Sequence, residues 1–314
     1  NDIAQKLGFR KSDKHHIANI KAFIKNDLDY YSELYARIRT SKDVFLRYDS
    51  EINSLSGQYQ NILAGCALKD PKESDKITRI AKETDRMWVL MNLNGSYDSN
   101  EYQNYTYSLN QLLCGKEPEE YRTIFNDLIK KSIRLQRNID ENTQVSILDY
   151  AAFQTRNYTN LNTRFLRYFF SRIEGYLCSQ TSQAMQNDVF YVSTKTGNKV
   201  GYHIEHILSN NKQNIGYFES EDDFNQKRNL LGGLLLLKGL NNISSGNELY
   251  SDKLKTYSNG FVWGHSLCKD FYHSNKDFDA FNEKLKKEHN IEFKSYDVFN
   301  KDALEERCKL LYGL

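Results

Sequence analysis

Tyr202-His203-Ile204-Glu205-His206-Ile207-Leu208 reads as a short apolar strand carrying an acid beside a histidine. It is answered by Asn229-Leu230-Leu231-Gly232-Gly233-Leu234-Leu235-Leu236-Leu237-Lys238-Gly239-Leu240-Asn241-Asn242. Periodicity alone leaves Leu234–Leu237 as a buried strand or a helix fragment. In the strand reading, a polar loop joins two strands and an asparagine follows where a helix can begin. Such an arrangement can hold one hard cation beside one general base. Adjacent strand residues point to opposite faces, so Glu205 and His206 can both face one phosphate only if the strand ends or twists there.

Outward from this stretch the texture changes. Val189–Val192 and Lys199–Leu208 read as strands separated by a turn ending at Asn198. The polar run 209–228 reads as an ordered loop, and Tyr250, Leu254 and Tyr257 restore helical spacing. Upstream, residues 117–137 form the clearest helix: Pro118 suits a first helical position, and Glu119 and Glu120 suit the positive end. Ile124, Phe125, Leu128, Ile129 and Leu135 supply the buried stripe, and Arg134 and Arg137 suit the negative end. A second helix is expected over about 161–177, on Leu161, Phe165, Phe169, Ile173 and Leu177. Weaker helical patterns cover 12–39, 51–67, 72–92 and 100–114. With only two prolines in 314 residues, helix dominates. The expectation is an α+β protein: a helical domain over 1–185, and a second domain over 186–314.

Composition bounds the function. An apolar fraction of 39% supports a real core, and no run of eighteen apolar residues or signal-peptide pattern occurs, so a soluble, cytoplasmic protein is expected. The chain opens on Asn and not Met, which suggests a processed or truncated protein. Five cysteines, widely spaced and without a Cys-x-x-Cys pair, fit a reducing compartment. A net charge of +2 means that any nucleic-acid contact rests on a local basic patch. His15-His16 lacks further ligands, and Asp222-Asp223 is better explained by solvation.

The order strand, loop, strand, helix, with Glu205-His206-Ile207-Leu208, then Leu231-Gly232-Gly233-Leu234 to Leu237, Asn242 and Lys253, resembles the ββα-metal finger of HNH, or His-Me finger, nucleases. More narrowly it resembles the C-terminal half of GmrSD-type, modification-dependent restriction endonucleases. Asn162-Thr163-Arg164-Phe165-Leu166, Ile173-Glu174-Gly175-Tyr176-Leu177 and Leu304-Glu305-Glu306-Arg307 extend the likeness over roughly 150–314. The resemblance implies DNA cleavage or nicking in bacterial defence against phage or modified foreign DNA. His206 would be the general base, and Glu205 with Asn242 would hold Mg²⁺ or Mn²⁺; Asn241 is the competing ligand. Lys253, Lys238 and Arg228 are candidate phosphate contacts, and His203 is a candidate neighbour of the metal. It also implies a nucleotide-hydrolysing sensor domain, for which no Walker-type loop is found here.

Two positions depart from the family pattern. Gly233 stands where the middle Asn of the signature is usual, and Ser209 stands where Pro usually follows Glu-His-Ile-Leu. Asn229 can substitute in part for the former. A weakened or inactive nucleic-acid-binding or scaffold module with the same fold is the alternative, and an RNase would use the same site.

Overall fold

In a computed structural model, residues 3–55, 57–241, 248–273 and 275–314 are described. The described residues are mostly helical with one two-stranded sheet, and the chain divides into two compact units, Asn1–Met91 with Ser96–Ile147, and Asn92–Gly95 with Leu148–Leu314. The changeover therefore falls near residue 148, earlier than the expected 185. The reason is packing: the helix Thr163–Gln180, assigned from its periodicity to the helical domain, packs on both strands of the second unit.

The described part of the first unit is helical. Pro118–Arg137 forms as its sequence dictates, with Glu117 and Glu120 closing a reciprocal capping box and Asn138 ending it in the left-handed region at φ 50°. Tyr121, Phe125, Leu128, Ile129 and Ile133 make its buried face, whereas Leu135 is 59% exposed because it falls outside that stripe. Glu73–Asn94 and Ser99–Leu112 confirm two of the weaker patterns.

In the second unit α1 is Tyr150–Phe153, α2 is Thr163–Gln180 and α3 is Val189–Thr194. The expected strand over Val189–Val192 is thus a helix. Asp188 caps it by accepting from the Tyr191 amide, and Val189, Val192 and Ser193 turn inward at i, i+3, i+4 spacing. Its β-branched and aromatic residues imitate a strand in composition, but the cap decides. The true strands are β1, Tyr202–His206, and β2, Leu234–Lys238, which pair antiparallel with Glu205 opposite Leu235 and His206 opposite Leu234. Between them the expected loop contains two short helices, α4 (Lys212–Ile215) and α5 (Glu221–Lys227), capped by Asn211 and Ser220. Beyond lie α6 (Tyr250–Tyr257), α7 (Val262–His265), α8 (Lys276–His289) and α9 (Lys301–Gly313). No helix among the described residues is long and apolar enough to cross a membrane.

Two charged side chains are buried for structural reasons. Arg307 of α9 lies 3.7 Å above the Trp263 ring and donates to the Trp263 carbonyl at 3.0 Å, while the Trp263 indole N–H donates to the Leu234 carbonyl at 3.0 Å. The last helix is thereby tied to β2. Glu174 of α2 accepts the Val262 and Trp263 amides at 2.7 and 3.1 Å, filling the orphan donors at the start of α7.

Burial pushes the Glu174 carboxyl up to about 7 against the pull of these two bonds. The folded state therefore keeps a proton that the unfolded chain releases near 4.5, and stability from this group is complete below about 4.5 and lost as pH rises through about 7. We expect the melting-temperature gap between the wild type and Glu174→Gln to shift with pH between 5 and 8, the wild type losing about 3 kcal/mol relative to the variant at the upper end. A gap that stays constant over that range would refute this.

Candidate active site

β1 ends at His206, and from there the two neighbouring side chains engage different partners. Glu205 is 5% exposed, and its Oε1 receives the Lys253 ammonium at 2.5 Å. The His206 imidazole is part-exposed on the other face, with Nε2 2.8 Å from Asn229 Oδ1 and its ring edge-on to Tyr158 at 4.9 Å between centroids. The strand does end where the sequence required, yet among the described residues no hydrogen bond joins the carboxylate to the imidazole. Lys253 connects them instead, donating also to the His206 carbonyl at 2.8 Å.

Arg228 completes the group. Its Nε donates to the Leu208 carbonyl at 3.1 Å and its guanidinium lies over Phe224. Burial, followed by the charge of Arg228, pushes the His206 imidazole down to about 4, opposed by the Asn229 bond, with Lys253 adding a smaller push. It is neutral at physiological pH, as a proton acceptor must be. Burial also raises Glu205 above the usual carboxylate range, outweighing Lys253 and Arg228, and the same burial lowers Lys253.

The candidate phosphate contacts fare differently. Arg228 stands beside the imidazole. Lys253 is 1% exposed, with its ammonium bonded to Glu205 and to the His206 carbonyl. Lys238 is exposed but pairs with Tyr202 at the opposite end of the hairpin, four residues or about 13 Å along the strand from Leu234. It is not brought to His206. His203 is half-buried, and among the described residues nothing bonds its Nε2.

Asn242, and with it the choice between Asn241 and Asn242, lies outside the described residues. No group of three or more His, Cys, Asp or Glu side chains that could hold a metal occurs among the described residues. Glu205 nonetheless fits as one hard donor, since no described donor is directed at its Oε2.

Both departures from the family pattern have a physical account. A Cβ on Gly233 would lie 2.8 Å from the Arg228 carbonyl, so no side chain fits there without moving the backbone. Gly232 is packed as closely, against Cys308 and the Leu304 carbonyl of α9. The Ser209 hydroxyl donates to the Glu248 carbonyl at 2.6 Å and accepts from Asn211 at 2.8 Å, which orders the loop that a proline would otherwise stiffen.

A profile of the GmrSD restriction endonucleases, C-terminal domain, matches residues 146–313. The chain belongs to this family. The matched span coincides with the second unit, so hairpin, imidazole and buried ion pair all lie within the GmrSD C-terminal domain. No curated protein and no solved structure matches. In this GmrSD domain, Tyr158 was missed by sequence reasoning. It reaches His206 through an isolated bridge between Asn157 and Leu230 and a bond from its amide to the Asn229 carbonyl at 2.8 Å, a pairing across the chain with no local signal.

Proposed function

We propose that the chain is a DNA endonuclease of the HNH, or His-Me finger, type, dependent on Mg²⁺ or Mn²⁺ and acting in the cytoplasm in bacterial defence against phage or modified DNA. The observation that carries the reading is a neutral, part-exposed imidazole at the end of β1, flanked by Arg228 and held by Asn229. Asn229 itself lines a cleft of about 630 Å³ together with Asn157, Asn225 and Lys227. The order of the elements, two antiparallel strands and then α6, supports a ββα finger.

His206 takes the proton from the attacking water, a step worth about 10² to 10⁴ in rate. Arg228 supplies positive charge that orients the phosphodiester. Glu205, through Oε2, and Asn242 would hold the cation. A bound dication would offset charge building on the leaving oxygen. A nucleotide-hydrolysing sensor domain is the proposed partner, beside DNA itself.

A second reading has one observation in its favour: Glu205 already has a counter-ion in Lys253, as suits a domain that binds nucleic acid without cutting it. Supercoiled plasmid incubated with the full chain and Mg²⁺ or Mn²⁺ separates the two. Nicking that chelator abolishes supports the endonuclease; gel retardation without metal and without cleavage supports the binder. Parallel incubation with RNA decides the substrate.

A further inference from the structure

We infer that Asn229 is a positioning residue that sets the tautomer of His206, leaving Nδ1 as the atom that accepts the proton. The inference rests on the reading of His206 as base, and its argument is one of donors and acceptors.

The Asn229 side chain makes two bonds of opposite kind. Its Nδ2 donates to the Asn225 carbonyl at 2.6 Å, and its Oδ1 faces His206 Nε2 at 2.8 Å. The amide orientation is an assignment that the network must justify. Here it does: a carbonyl can only accept, so the group facing Asn225 must be the NH₂, and a flipped amide would set two oxygens against each other. That carbonyl lies near the C-terminal end of α5, where helix carbonyls lack intrahelical partners, so it has a standing need for a donor.

With Nδ2 fixed on Asn225, Oδ1 is fixed on the imidazole. An amide oxygen only accepts, so Nε2 must carry a hydrogen, and in a neutral imidazole the lone pair then belongs to Nδ1. Nδ1 has no hydrogen-bond partner among the described residues. The backbone of Asn229 is held as well, its carbonyl accepting from the Tyr158 amide at 2.8 Å. Tyr158 packs edge-on against the same imidazole, so ring orientation and tautomer are set by one cluster.

The tautomer can be read without any cleavage. Long-range ¹H–¹⁵N correlation spectra of the full chain, with His206 assigned by the loss of its signals in His206→Gln, are expected to show a pyrrole-type Nε2 and a pyridine-type Nδ1 at neutral pH. Asn229→Ala should mix the two tautomers and lower cleavage by about 10- to 100-fold, as removal of an orienting partner does elsewhere. Asn229→Asp, which keeps an acceptor facing Nε2, should retain the Nε2–H form even where it is less stable. A wild-type imidazole protonated on Nδ1, or an unchanged tautomer in a folded Asn229→Ala, overturns the inference. If the wild type shows the Nε2–H form but cuts no nucleic acid, the endonuclease reading falls while the tautomer assignment stands.

Discussion

Replacing His206 with alanine is expected to lower plasmid nicking by about 10² to 10⁴-fold while leaving the fold in place. The imidazole sits at the last residue of β1, part-exposed, bonded to the Asn229 amide and packed against Tyr158. Burial and Arg228 keep it neutral, so at working pH the proposed base is unprotonated. The measurement is the initial rate of supercoiled-to-nicked conversion at saturating Mg²⁺, beside a melting curve for each protein. A variant that nicks within threefold of the wild type would remove His206 from the chemistry, and one that no longer melts cooperatively would show that it is structural.

The second large effect concerns stability. Lys253→Met should cost about 3–5 kcal/mol, because it leaves the Glu205 carboxylate buried without its partner. Both groups lie inside, at 1% and 5% exposure, and Lys253 also holds the carbonyl at the end of β1. Burial raises Glu205 and lowers Lys253 despite their contact, so desolvation outweighs the attraction and the pair itself adds little net stability. The double variant Glu205→Gln with Lys253→Met should accordingly recover much of the loss. Denaturant unfolding of the four proteins in this cycle checks both statements. Single and double variants that are equally unstable would show that the lysine stem, not the charge, matters.

How much of this was legible in the chain follows from the range of the forces involved. Pro118–Arg137 could be read because cap, stripe and end charges agree, whereas Leu234–Lys238 was open between strand and helix by periodicity, and the family likeness favoured the strand that pairs with Tyr202–His206. Val189–Val192 misled because a single capping aspartate outweighed four strand-like residues. The ion pair between Glu205 and Lys253 and the contact of Tyr158 with His206 were hidden for another reason: each joins residues far apart in the chain, and spacing says nothing about which side chains meet. The family likeness marked Lys253 as significant, but only its burial shows that it faces inward. The same holds for Glu174 and Arg307, quoted first as parts of motifs and found to be a helix cap and a buried clamp.

That clamp has a practical corollary for anyone trimming the protein. Leu234, whose carbonyl the Trp263 indole grips, is the residue directly across the hairpin from His206, and Trp263 is in turn pinned by Arg307. A stop codon placed ahead of residue 307 would thus delete the buttress behind the strand that carries His206, and a shortened C-terminal domain should be designed to retain its final helix intact.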